Sequence, residues 1–369
     1  MGQKYVFPAV AAVFLFFVLC TSVQAVDTRD IESVRAKAVL DSTDLQIIDK
    51  FLTAAVQELV ETTDFSSISN ARSIILASAS SKTQGQAQYA QQFSESAYKH
   101  ISAVIEQANS LTPEEHRFRI MLNILMLIDG LEDLRMAEPA LSCVKENNAA
   151  LRYWAVHSLT NPSVIEKLSA PAQADLARRI NARLQEVVGS SGAETLALMV
   201  GFTAKVKIPE NEDLLLKVAD ARIKSYAGWT VKYELMDAPL LAALAAKLKS
   251  PNPPKPQTGR CFGQLLSYVM QRYIKGRDVL NATQKEQIVS VLVEVEKSGI
   301  IELTGKQQST IKRAIETNDS KALLAEHNRL LGQAGKAGEL APKLGSDYGR
   351  GDNGNASPVP LMLSDPPKN

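Results

Sequence analysis

At 369 residues the chain has room for one large domain or two ordinary ones. Lys and Arg number 41 against 40 Asp and Glu, and removing residues 1–25 takes away one Lys and no acid, which leaves 40 against 40. A chain this neutral lacks the bulk field that draws nucleic acids or anionic membranes, so neither is an expected partner.

The first 25 residues read as a secretory signal. Lys4 supplies the positive start, Val6 to Leu19 is apolar apart from Pro8, and Val23-Gln24-Ala25 suits a small-residue cleavage site. The apolar run is marginal for a bilayer span. Cleavage after Ala25 predicts an exported chain beginning at Val26, periplasmic or extracellular. Cys20 raises acylation, but Leu19 stands where lipoprotein signals carry a small residue. Membrane attachment is expected only through an uncleaved signal or a lipid anchor.

Helical periodicity dominates from there on. Leu45, Ile48, Leu52, Ala55 and Leu59 follow three-and-four spacing, widened by Phe51 and Val56. The Ser/Gln/Ala-rich run from Ser78 to Gln92 favours helix with a break at Gly85. Thr112-Pro113-Glu114-Glu115 is a helix start in which Thr112 caps and Glu115 closes the box. It leads into Ile120 to Ile128, apolar almost all round except Asn123, which predicts burial on several sides. Further helices are expected at about 85–108, 133–146, 149–160, 171–188, 193–206, 211–226, 237–249, 261–275, 282–298, 306–316 and 319–332. Ile288 to Val295 is rich in Val, but its flanking helix formers place it in a helix. The Pro-rich stretch 251–260 reads as a linker between an array over 26–250 and a smaller helical unit over 261–332. Beyond it, 333–369 is rich in Gly, Asn, Asp and Pro, which predicts a disordered tail with an apolar island at Pro360-Leu361-Met362-Leu363.

Few residues point to chemistry. HExxH, GxSxG, Walker and paired Cys-x-x-Cys motifs do not occur, and no cofactor is expected. His100, His116, His157 and His327 are scattered, with His157 one helical turn from Trp154. Asp129, Glu132 and Asp133 have the spacing that gathers carboxylates on one helix side, as a divalent cation needs. Gly130 within that motif argues instead for a helix end, and no metal is assigned. Of three cysteines, Cys143 and Cys261 remain after export and are either a disulfide or two buried thiols. Arg350-Gly351-Asp352 is an adhesion-type tripeptide that chance readily produces. Asn281-Ala282-Thr283 and Asn355-Ala356-Ser357 are glycosylation sequons.

The segment from Asn147 to Leu159, NNAALRYWAVHSL, resembles the second helix of a HEAT repeat. A polar turn precedes a helix that opens with an apolar residue and Arg and continues in an Ala-rich apolar pattern. A weaker echo lies at Ala227 to Leu235, and Trp154 and Trp229 stand 75 residues apart, close to two ~40-residue units. The resemblance implies an all-α fold, an irregular α-solenoid of HEAT-like helix pairs, each covering the apolar face of the last. It also implies that Arg152 is a structural arginine bonding between units. A multi-helix bundle and an α/α toroid are the competing architectures.

Aromatics beside cations are the best binding candidates: Tyr153 and Trp154, then Trp229, Lys232 and Tyr233. The leading expectation is an exported, non-enzymatic scaffold that binds a protein or a cell-envelope component. The alternative is an exported all-helical hydrolase or lyase acting on glycans, with carboxylates and aromatics converging in one deep pocket.

Overall fold

The stripe at the start of the chain does fold as a helix, and its cap explains where. Asp41 accepts from the amides of Thr43 and Asp44 while the Asp44 carboxylate accepts from the Asp41 amide, a reciprocal box. Ile48, Phe51, Leu52, Ala55, Val56 and Leu59 of that helix are buried, whereas Leu45 is partly exposed.

The computed structural model describes residues 28–79, 86–108, 110–251, 256–333, 336–345, 348 and 357–367. The signal segment with Cys20, residues 80–85 of the Ser/Gln run, the prolines at 253 and 254, Arg350-Gly351-Asp352 and most of the second sequon lie outside them. The fold is all-α. The helices are α1 (Arg29–Arg35), α2 (Ser42–Glu61), α3 (Phe65–Ala79), α4 (Ala87–Ala108), α5 (Glu114–Leu131) and α6 (Ala137–Cys143). They continue as α7 (Ala149–Thr160), α8 (Pro162–Leu168), α9 (Ala174–Val187), α10 (Ala193–Lys205), α11 (Asn211–Ala227) and α12 (Asp237–Leu248). The C-terminal third holds α13 (Pro256–Lys275), α14 (Ala282–Val295), α15 (Ile301–Thr304), α16 (Thr310–Glu316), α17 (Ser320–Leu331) and α18 (Ala341–Leu344). The only sheet among the described residues is the antiparallel pair Gly332–Gln333 and Lys336–Ala337. No helix of the described residues is long and apolar enough to cross a membrane.

Several expectations shift. α5 begins after Pro113 with no side-chain cap, so Thr112 does not cap it; Glu114 and Glu115 instead put negative charge at its N-terminus. The segment 133–146 is a 3₁₀ turn followed by the short α6. The echo at 227–235 is not a helix. α11 stops at Ala227, and Trp229 and Tyr233 have φ of 56° and 53°, left-handed values no helix accommodates.

Residues 256–260 of the expected linker belong to α13, which starts at Pro256. A proline in the first turn loses nothing, since its missing N–H would be unpaired there anyway. One hydrophobic core runs from Ile31 to Leu363, and α13 packs against α11 and α12 as well as α14, α17 and α18.

The largest departure concerns 333–369. Its described residues dock: Leu340, Leu344, Tyr348 and Leu363 are all buried. Composition misleads because small residues on the body receive the segment. A Cβ at Gly259 would collide with the Leu344 carbonyl, and one at Gly263 with the Tyr348 ring and hydroxyl. Gly259→Ala should therefore cost about 1–3 kcal/mol by overpacking. Thermal melts should show the loss, with weakened amide-exchange protection over 341–345, while Gly189→Ala, which meets nothing at its Cβ, leaves both unchanged.

Candidate functional site

α13 carries Gln264, Ser267, Gln271, Arg272 and Lys275 in a helix buried from Thr258 to Arg272, apart from Arg260. Gln264, Gln271 and Lys275, spaced by seven and four residues, share one helical face. Along that face lies the C-terminal segment. Gln264 takes both sides of one residue's main chain, accepting from Leu361 N at 2.8 Å and donating to Leu361 O at 3.0 Å. Gln271 accepts from Leu363 N at 2.8 Å, and Lys275 Nζ donates to Leu363 O at 2.7 Å. Lys275 also pairs with Asp365 at 3.0 Å, and Trp229 Nε1 donates to Ser364 O at 3.1 Å. Leu363 is 1% exposed between Met362 at 62% and exposed Ser364, an inward–outward alternation.

Beneath the segment, Ser267 Oγ lies 2.8 Å from His327 Nε2 and accepts from Gln271 Nε2 at 2.7 Å. Asn328 Oδ1, 3.1 Å from His327 Nδ1, can only accept, so a neutral imidazole carries its proton on Nδ1 and Ser267 Oγ donates to Nε2. The order resembles a nucleophile–base pair, but Ser267 is fully buried, and the pair holds α17 to α13. Burial holds the His327 imidazole below its ordinary value of 6.5, so it is neutral.

Beside this face lies a buried charge cluster. Arg222 and Tyr226, one turn apart on α11, both reach Asp237 at the start of α12. Arg222 Nε and Nη2 donate to the two Asp237 oxygens at 2.7 Å each, Tyr226 OH donates to Oδ2 at 2.7 Å, and Arg222 Nη1 donates to Lys232 O. Burial opposes the Arg222 cation, but the hydrogen bond and attraction to Asp237 outweigh it and raise its pKa. Burial, seconded by Asp237, lifts the Tyr226 hydroxyl well above its ordinary 10, which keeps it a donor. Arg272 Nη2 meets Glu234 Oε1 at 3.1 Å, and its guanidinium lies 5.8 Å from the Tyr226 ring centre and 5.3 Å from that of Trp229. Its Nε and Nη1 have no hydrogen-bond partner; two aromatic rings are their surroundings.

The residues singled out from sequence divide. Trp229 is half-buried and joins the site, Lys232 contributes its carbonyl, and Tyr233 is exposed beside it. Tyr153 and Trp154 lie elsewhere, half-buried on α7, with rings 5.8 Å apart and Trp154 5.2 Å from the His157 ring. The carboxylates do not gather: Asp129 takes His157 Nδ1 at 2.8 Å, Glu132 sits in a left-handed cap, and Asp133 caps the next turn and accepts from Ser94. The helix end at Leu131 turns them apart, and no three-residue metal cluster exists among the described residues. Cys143 and Cys261 are buried free thiols on α6 and α13, with separate neighbours, Ser142 and Asp220. Arg152 ties the turn before α7 to the turn after α9, donating to Glu146 O and Ser190 O. A cavity of about 760 Å³ lies among the ends of α10, α11 and α12. Glu210, Glu212 and Asp213 line it together with Lys207 and Lys247, and no aromatic ring does.

Sequence reasoning missed Gln264, Gln271, Lys275, Arg222, Asp237 and Arg272. The signal was available in α13, where polar residues at 264, 267, 271 and 272 interrupt an otherwise apolar run.

No known family model matches the chain, and neither a curated protein nor a solved structure is significantly similar to it.

Two outcomes follow from this geometry. Arg152→Ala leaves two carbonyls without their donor and should cost about 1–3 kcal/mol in denaturant melts. For His327 the depressed pKa fixes the sign. Below 6.5 the unfolded chain takes up a proton that the folded imidazole resists, so stability falls as pH drops through 6.5 towards the lower folded-state value. His327→Gln should flatten that slope.

Proposed function

We propose that this chain is an exported, non-enzymatic protein-binding module that takes up an extended segment of a partner protein along α13. The observation that supports the reading is the way α13 holds the segment 361–365: Gln264, Gln271, Lys275 and Trp229 all bond to main-chain groups. Main-chain recognition gives affinity for any extended chain, and alternate side-chain pockets then select among chains. Here one such pocket takes Leu363. The enzyme alternative needs carboxylates and aromatics converging at an open pocket. Tyr226 does meet a carboxylate, Asp237, but in a buried cluster whose two acids, Asp237 and Glu234, each pair with an arginine.

Within this reading the middle of the chain stacks as HEAT-like helix pairs, a rigid frame for α13. The bridge from Arg152 to Ser190, 38 residues on, supports that stacking. The partner belongs to the cell envelope, in keeping with the secretory signal read at residues 1–25.

The test is site-specific photo-crosslinking in cells, with a benzophenone side chain replacing Tyr233, exposed and next in sequence to the Glu234 that pairs with Arg272, and another replacing Lys312 on α16 as the control. One discrete envelope protein should crosslink from position 233 and none from 312. Adding Lys275→Glu should cut the yield about tenfold, the effect of ~1.4 kcal/mol. Turnover of a polysaccharide by the purified protein would overturn the reading.

A further inference from the structure

We propose that residues 361–365 are an internal competitor for the α13 groove, and that the partner segment it displaces shares its pattern: an apolar anchor followed two residues later by an acid. This rests on the groove being a partner site, as argued above, and adds both its regulation and its ligand.

The attachment is that of a ligand rather than of a core strap. Five of its six polar bonds join a side chain to main chain, which any other extended segment offers equally. The sixth, Lys275 with Asp365, is largely in water: Asp365 is 86% exposed. Leu363 is the apolar anchor of 361–365, while Met362 points outward. Leu344 and Tyr348 are fixed differently, the Leu344 backbone lying close on Gly259 and the Tyr348 ring on Gly263, and they should keep these seats when 361–365 leaves.

The groove is costly to leave empty. Vacated, it bares the Gln264 and Gln271 amides, the Lys275 ammonium and the Trp229 N–H around an apolar hole. An occupant in cis meets that need until one in trans arrives. The partner's chemistry follows from what the groove reads. Main-chain bonds at alternate residues require an extended backbone; the Leu363 site requires an apolar side chain; Lys275 requires a carboxylate two residues on. The residue between is free, as Met362 is.

A tethered tail competes at an effective concentration in the millimolar range, so an isolated peptide should bind the intact protein weakly and an opened protein well. The experiment titrates a fluorescent peptide of residues 357–367 into full-length protein and reads anisotropy. Full-length Leu363→Asp, its own anchor spoiled, should bind the wild-type peptide at least about tenfold more tightly than the unmodified chain does. Lys275→Glu added to Leu363→Asp should abolish that gain. A peptide carrying Leu363→Asp should not bind, while one carrying Met362→Ser should bind as the parent does. A Leu363→Asp protein that keeps its circular dichroism and melting point yet binds no peptide would overturn the proposal and make the tail a fixed strap. Should Leu363→Asp fail to fold, Asp365→Lys releases only the exposed pair; a smaller gain supports the competitor and no gain overturns it. A concentration-dependent dimer that Lys275→Glu dissolves would give the groove to a second copy and overturn the assignment to a partner. Crosslinking from position 233 separates the two claims. A partner captured equally by the unmodified chain and by Leu363→Asp leaves the binding module standing and removes the competitor.

Discussion

The constraint on which the C-terminal half depends is that α13 is buried almost all round yet carries Gln264, Ser267, Gln271 and Arg272. A buried polar group without a partner costs about 1–3 kcal/mol, so each residue dictates what packs beside it. Ser267 calls for His327 and so fixes α17. Arg272 calls for Glu234 and so fixes the turn before α12. Gln264 and Gln271 call for main chain, and residues 361–363 supply it. The arrangement around α13 is a set of answers to polar questions posed by one helix.

The two arginines show how far that bargain goes. Arg222 is fully answered by Asp237, Tyr226 OH sharing the same carboxylate, and Lys232 O. Removing Asp237 would strand a buried cation, a loss of about 3–5 kcal/mol in comparable pairs. Arg272 is answered by one carboxylate oxygen and two aromatic faces, with two nitrogens lacking a partner. Cation–π attraction strengthens where water is excluded, and the Trp229 ring that provides it bonds to Ser364. The charge cluster and the groove therefore share one residue.

Helices were legible wherever an apolar period ran between clear signals. α7, α10, α11, α12 and α17 fall within a residue or two of expectation, and the Val-rich run in α14 is helical as its flanks implied. α3 escaped notice because its sequence, FSSISNARSIILASA, dilutes the period with Ser. The aromatic echo at Trp229 was misread for a definite reason. A pattern of apolar and aromatic residues says nothing about φ, and two left-handed residues make that stretch a turn. The polar turn before Arg152 could be read from its motif, and Asn148 there caps α7. The partners of Arg222 and Arg272 could not, since 15 and 38 residues separate each from its acid.

The tail was the least legible element, and the reason bears on function. A segment held by its side chains advertises itself through apolar spacing. One held by its main chain leaves almost no trace in its own sequence, because every residue offers the same N–H and C=O. The record lies in the receiving surface instead: two glutamines seven residues apart, a lysine one turn further on, and a tryptophan turned inward by a left-handed backbone. A surface that reads main chain in this way does not distinguish the chain's own terminus from another extended segment by those bonds alone. In the role proposed above, discrimination falls to the Leu363 site and to Lys275, so those two positions would set which segments the groove accepts.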